Sequence, residues 1–260
     1  MICTKRDREI LAKLSRYGIL STSQIKRIFF PDVDLTTVRR RLRILEAARF
    51  IFRIPGLDDG GLGWALTQKS AAELGSSFPI RHFNRNSIEH DVLLSEVRLS
   101  LEGIGLGAGW IPEHVLKRKT PKASYLEERF VPDALLTVTN HNKNRVVALE
   151  LELNAKNKKR YEKILQKYLR MKNLWALWYL VPSESVGKML ESVWSKLNSS
   201  KRNDLFIWSL IDEVLTNPTE ALVRSEHLRL PLKNLIVIPA LRAAPTQSRE
   251  SNEISKTQTA

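Results

Sequence analysis

From residue 5 to about residue 78 the apolar residues recur first at helical spacing and then in alternation. Asp7 to Tyr17 carries Ile10, Leu11 and Leu14 on one side, and Gly18 ends the segment. Ser21 is a natural N-cap for a second helix reaching Phe30, with Ile25, Ile28 and Phe29 turned inward. Pro31 and the acidic turn Asp32-Val33-Asp34 close it. A third helix is predicted from Leu35 or Thr36 to Ala48, with Val38, Leu42 and Leu45 at i, i+4 and i+7. Phe50 to Pro55 then reads as a strand, the glycine-rich run Gly56 to Gly63 as a turn, and Trp64-Ala65-Leu66 as the returning strand. Thr67 caps a short helix, Gln68 to Leu74. Three helices followed by a two-stranded ribbon is the element order of a winged helix-turn-helix, assigned here to residues 5–78.

A different pattern starts at Asn86. A helix is predicted at Ser87 to Leu101, then a strand at Trp110 to Lys117 and a basic loop to Lys122. Two strands follow, Val131 to Val138 and Val146 to Leu153, joined by a polar turn from Asn140 to Asn144. Next come a basic helix (Lys156 to Lys172), a strand (Trp175 to Val181), a helix (Ser183 to Leu197) and a last short strand (Phe206 to Leu210). Residues 86–240 therefore predict a second, α+β domain built on a mixed sheet. Residues 241–260 are polar, lack a periodic apolar face, and read as a disordered tail. No internal repeat stands out.

Composition sharpens this picture. With 260 residues and 43% hydrophobic content the chain can bury one large core or two modest ones. The formal net charge of +14 and a pI near 10.0 favour a polyanionic partner, of which nucleic acid is the commonest. Apolar runs such as Leu174 to Pro182 are too short to span a bilayer, so no membrane partner is expected. The first residues, Met1 to Asp7, show no apolar signal core. Cys3, the single cysteine, excludes an internal disulfide and a multi-cysteine zinc site. A cytoplasmic protein is the simplest expectation.

On the third helix the stripe through Val38, Leu42 and Leu45 fixes the inward side. At 100° per residue, Arg40 and Arg43 then point nearly opposite it, with Thr36 close to them and Arg39 on the flank. Such a face suits a major groove, where arginine can fork onto guanine or onto phosphates. Lys26 and Arg27 on the preceding helix are candidates to grip the duplex backbone without reading sequence. The bland reading is a solvated basic face.

The second domain carries candidate chemistry of another kind. Residues two apart on a strand share a face, so Glu150 and Glu152 project together, away from Leu149, Leu151 and Leu153. A hairpin lays Asp133 beside them. Carboxylates that converge repel one another unless one is protonated or a cation stands among them. Mg²⁺ takes hard oxygen ligands of this sort. Taken alone, such acids are more often the solvated outer face of an edge hairpin. Glu89 and Glu113 are further acids nearby and read as ordinary surface residues. The basic helix, dense with Lys156, Lys158, Lys159, Arg160, Lys163, Lys167 and Arg170, would supply the rim that a phosphate-gripping site needs. Trp175 and Trp178, three apart on a strand, are expected to face opposite sides, in the core.

The helix, the sheet and the pair Pro132-Asp133 followed 17 residues later by Glu150-Leu151-Glu152 resemble the restriction-endonuclease-like fold and its P-D…(D/E)-x-K signature. The resemblance implies metal-assisted phosphodiester hydrolysis. Asp133 and Glu150 would hold Mg²⁺ or Mn²⁺, with Glu152 as a further ligand or base. Glu152 stands where the signature has lysine, and Lys156 or Lys158 is the nearby replacement for that charge.

Several short motifs recur in order through both domains. They are Arg6-Asp7-Arg8-Glu9-Ile10-Leu11, Ser23-Gln24-Ile25, Arg40-Arg41-Leu42-Arg43-Ile44-Leu45, Ala65-Leu66-Thr67 and Glu89-His90-Asp91. Trp110-Ile111-Pro112-Glu113, Val131-Pro132-Asp133, Leu149-Glu150-Leu151-Glu152 and Tyr168 complete the series. Together they resemble the replication-relaxation family of plasmid and mobile-element proteins over roughly residues 5–185. That resemblance implies a double-stranded DNA partner and a role in plasmid replication, DNA relaxation or mobilisation. Other replication or relaxosome proteins and a homodimer would be further partners. His90, where the family often has histidine, reads as structural. The alternative is a winged-helix transcriptional regulator whose second domain serves dimerisation or partner binding.

Overall fold

The computed structural model describes residues 3–57, 61–75, 87–107, 109–119, 130–140, 143–171, 174–198 and 205–237. The tip of the predicted wing turn, most of the basic loop before residue 122 and the tail at 241–260 lie outside them.

The first unit follows the predicted order. Helix α1 (Lys5–Tyr17) is opened by a capping box in which Thr4 and Asp7 satisfy each other's backbone amides, and Gly18 closes it at φ 86°. Strand β1 (Leu20–Ser21) leads into helix α2 (Thr22–Phe29), capped in the same reciprocal way by Ser21 and Gln24. Helix α3 (Leu35–Ala47) starts on Asp34, whose side chain accepts from the Thr37 amide. Strands β2 (Ile51–Pro55) and β3 (Leu62–Leu66) pair antiparallel from Ile51↔Leu66 to Pro55↔Leu62, and helix α4 (Gln68–Glu73) follows. The sheet gains β1 as a third strand, in the order β1-β3-β2. Ile10, Leu14, Ile25, Val38, Leu42, Leu45 and Trp64 form the core under these elements. Ile28 and Phe29 stay half-buried rather than fully inward.

The second unit is built on a seven-stranded mixed sheet, ordered β10-β9-β8-β7-β6-β5-β4. Its elements are α5 (Ile88–Gly103), β4 (Ile111–Pro112), α6 (Glu113–Lys119), β5 (Ala134–Asn140), β6 (Lys143–Leu151) and α7 (Lys158–Arg170). They continue with β7 (Ala176–Val181), α8 (Glu184–Leu197), β8 (Leu205–Leu210), α9 (Ile211–Thr216), β9 (Leu222–Ser225), β10 (Leu228–Pro231) and a 3-10 turn at Leu232–Val237. The strands β6, β7 and β8 run parallel through the crossover helices α7 and α8, which both cover one face. Helices α5 and α9 cover the other. Strand β7 is buried at every position, as a central strand covered on both faces must be.

Three local expectations change. The predicted strand Trp110–Lys117 is strand only at Ile111–Pro112, after which α6 begins. The Glu113 amide donates to the Asp133 carbonyl, and Glu113 pairs with Lys117 one turn on at 2.5 Å. Strand β6 ends at Leu151, so Glu152 and Leu153 lie beyond it, and Lys156 precedes α7 instead of opening it. Trp175 lies outside β7 and packs on the same cluster as Trp178, not on the opposite side.

The two units are joined along α5. The Ser95 hydroxyl donates to the Ile19 carbonyl at 2.8 Å, and Arg98 donates to the Arg16 carbonyl at 2.6 Å. Lys13 pairs with Glu102 at 2.8 Å, and Ile88 is buried against Ile19, Ile54 and Ala65. Among the described residues no helix is long and apolar enough to cross a membrane.

Candidate functional site: an arginine face and a carboxylate centre

The core stripe of α3 turns Thr36, Arg39, Arg40 and Arg43 outward, where all four are exposed. None of the four side chains has an ion-pair or hydrogen-bond partner among the described residues. Arg41 behaves oppositely. Its guanidinium closes on the buried Asp7, with Nε 2.8 Å from the carboxylate. Arg39 and Arg43 line a 380 Å³ hollow between α3 and the wing, together with Ser23, Arg53 and Trp64. An open concavity flanked by three arginines, beside a helix free to enter a groove, can accept a phosphate backbone.

Lys26 and Arg27 sit differently. The Lys26 ammonium donates to the Pro31 carbonyl at 3.3 Å, and Arg27 pairs with Glu96 of α5 at 2.5 Å. Gln24 donates to the same Glu96 carboxylate at 2.9 Å. The structure thus brings Thr36, Arg39, Arg40 and Arg43 together on one face and turns Arg27 toward the second unit.

In that second unit the β5–β6 register runs to Ala134↔Leu149, and one further step sets Asp133 opposite Glu150. Pro132, which cannot donate to a ladder, stands just ahead of the strand. Asp133 Oδ2 accepts from the Leu151 amide at 2.8 Å and from His90 Nε2 at 3.1 Å. Glu150 accepts from the Tyr168 hydroxyl of α7. Burial pushes the Glu150 carboxyl well above its ordinary pKa, and the neighbouring charge of Asp133 adds to the rise. Glu152 is buried and accepts from the Lys156 ammonium. Asp133 and Glu150 therefore stand opposite each other, while Glu152 is engaged by Lys156, whose charge also acts on Glu150. Among the described residues, no three side chains of the metal-ligating types converge.

His90 was not expected here. It comes from the first turn of α5, with Nδ1 3.3 Å from Asp91 and Nε2 shared between Asp133 and the Leu151 carbonyl at 3.2 Å. Burial lowers its pKa, but the hydrogen bonds to Asp133 and Asp91 outweigh that and bring it up to about 10. The ring is then an imidazolium at neutral pH, and both nitrogens donate. Its only sequence signal was the motif Glu89-His90-Asp91. Asp133, His90 and Asp91 line a 590 Å³ cleft between α5 and α6 that also contains Arg98, Glu113 and His114. Burial and the charge of Arg98 lower the His114 ring to about 4, so it is neutral at pH 7. Glu89 lies instead along a groove with Gln24, Arg27 and Leu153.

The donor set fits a hard divalent cation. Asp133 Oδ2 and the Leu151 carbonyl already reach a single atom, His90 Nε2, within 3.2 Å. Glu150 stands beside them with its charge suppressed. The buried Tyr179 hydroxyl, on the strand position paired with Glu150, has no hydrogen-bond partner among the described residues. Two carboxylates and a carbonyl are oxygen ligands of the kind Mg²⁺ accepts.

Comparison with known proteins adds a family. A search of curated proteins finds no match. Among solved structures, mutant MarR from E. coli complexed with operator DNA matches with 24% identity and a TM-score of 0.24, over 26% of this chain and 49% of that one. Restriction endonuclease FokI bound to DNA matches with 10% identity and a TM-score of 0.28, over 81% of this chain and 43% of that one. The chain thus spans about half the length of the structures it matches. The family described as replication-relaxation matches residues 11–175, well over half of the sequence. The chain belongs to the replication-relaxation family.

Proposed function

We propose that this chain binds double-stranded DNA through α3 and the wing, and that the Asp133–Glu150 centre cleaves a phosphodiester with Mg²⁺ or Mn²⁺. Its setting would be plasmid or mobile-element replication, relaxation or mobilisation, the processes the family is associated with. The observation that carries the reading is the exposed face of Thr36, Arg39, Arg40 and Arg43 beside the hollow lined by Arg53. Arg39, Arg40 and Arg43, whose side chains have no partner among the described residues, are placed on a helix supported by a buried stripe to meet phosphates and base edges.

For cleavage, Asp133, Glu150 and the Leu151 carbonyl would hold the ion. When bound, such an ion activates water and neutralises charge building on the scissile phosphate. The Asp133 carboxylate is oriented for this by the Leu151 amide, and Glu150 by Tyr168. Lys156 keeps Glu152 neutralised, so that carboxylate does not repel an approaching phosphate. The cations Lys158, Lys159, Arg160 and Lys163 face solvent at the start of α7 and can grip the strand.

Supercoiled plasmid incubated with the protein and Mn²⁺ or Mg²⁺ tests both halves together. Nicking or linearisation by the wild type, lost in Asp133→Ala and Glu150→Ala with the gel shift retained, is the expected outcome. A retained shift without cleavage would overturn the metal half, and no shift would overturn the DNA half.

A further inference from the structure

The Asp133–Glu150 centre is held by a residue that neither the P-D…(D/E)-x-K pattern nor the acid pair accounts for. His90 makes three polar contacts. Nδ1 lies 3.3 Å from Asp91 Oδ1, and Nε2 lies 3.1 Å from Asp133 Oδ2 and 3.2 Å from the Leu151 carbonyl oxygen. The last two oxygens belong to groups that, on the reading above, would hold the metal ion. An ion bound to both oxygens would stand where the Nε2–H group now points, so ring and ion cannot hold that position together.

We propose that His90 is a latch on the carboxylate centre: its ring and a divalent cation compete for Asp133 Oδ2 and the Leu151 carbonyl, so the ion enters only as the ring withdraws. This rests on the metal-binding reading of the centre. Two features favour a latch over a passive core contact. The ring is anchored from behind by Asp91, so it presents Nε2 forward in one orientation instead of rotating freely. It also borders the 590 Å³ cleft along with Asp91 and Asp133, so there is open space into which it can swing without unpacking a core.

The latch has a mechanical link as well. His90 belongs to the helix whose later turns hold the first unit, through Ser95 on the Ile19 carbonyl, Glu96 on Gln24 and Arg27, and Arg98 on the Arg16 carbonyl. A displacement of α5 along those contacts would move the ring directly.

Mn²⁺ titration by calorimetry, with no nucleic acid present, separates the possibilities. The set is wild type, His90→Ala, Asp91→Asn and Asp133→Ala, each first checked for an intact melting transition. Because the ion no longer has to displace a hydrogen bond to a charged group, His90→Ala should bind Mn²⁺ about tenfold tighter or more. Asp91→Asn, which weakens the charge-assisted hold on the ring without touching Asp133, should shift affinity in the same direction by a smaller factor. Asp133→Ala should abolish binding. Unchanged or weaker binding in His90→Ala, with wild type still binding Mn²⁺, would overturn the latch and leave the metal centre standing. If His90→Ala does not fold, unchanged affinity in Asp91→Asn overturns the latch instead. Absence of Mn²⁺ binding in wild type and in both ring variants would overturn the metal reading and the latch together.

Discussion

Arg40 faces solvent, and Arg41, one residue on, closes on the buried Asp7. The two side chains differ by 100° around the same helix, which is enough to separate a free cation from a structural one. Burial tends to raise the Asp7 carboxyl, but hydrogen bonds from Arg41 and Thr4 prevail and hold it at about 2, below its ordinary 3.8. A depressed folded-state pKa stabilises above the unfolded value and loses that contribution as pH falls through the folded one. Asp7→Asn should therefore cost about 2 kcal/mol at pH 6, a penalty relative to wild type that shrinks between about pH 4 and pH 2. Urea unfolding of both proteins at those pH values checks it, and a pH-independent difference would contradict it. The acid pair was legible at this scale, because the short polar turn at Asn140 to Asn144 between two Val- and Leu-rich runs predicts a hairpin that lays Asp133 beside the E-x-E strand. His90 was legible as a motif but not as a contact. It meets Asp133 from 43 residues away, and only the seating of α5 against the sheet decides that. The strand was drawn two residues too long: β6 stops at Leu151, and Glu152, just beyond it, is reached by Lys156.

Helix α8 shows how tightly the elements are set. A Cβ added at Gly187 would lie 2.4 Å from atoms of the Trp208 indole on β8, closer than any real contact, and that ring is buried. The absence of a side chain is thus what lets α8 approach the sheet. Gly187→Ala should lower unfolding stability by about 1–3 kcal/mol, despite alanine's better helix propensity. A melting temperature equal to wild type would show that the helix can back away freely. Long amphipathic elements such as α1, α3, α7 and α8 were readable because each repeats its apolar stripe over three turns or more. The segment beginning at Glu113 was not, because its apolar Val115 and Leu116 sit among charges in a run too short to separate a two-residue from a 3.6-residue period. Strands β9 and β10, four residues each, fell below the same threshold. They add the edge beyond β8 that the predicted sheet lacked.

Among the described residues, two helix surfaces are rich in positive charge. One is the outward face of α3. The other is α7, whose thirteen residues include six cations against the single acid Glu162, with Tyr161, Leu165 and Tyr168 buried beneath. The acids of the Asp133–Glu150 centre are turned inward onto His90 and Tyr168 instead of out among those cations. In a chain of net charge +14, the proposed reading would use this arrangement to bring an acidic centre to a polyanion without repelling it. On the proposed reading, α3 supplies the main contacts to DNA. The most direct test is fluorescence anisotropy of a labelled duplex, followed across salt concentration for wild type and for Arg40→Ala combined with Arg43→Ala. The double variant should bind at least about tenfold more weakly, with a salt dependence shallower by roughly two, since each lost phosphate contact removes about 0.9 from the slope. Equal affinity and an equal slope in the two proteins would contradict DNA binding through α3.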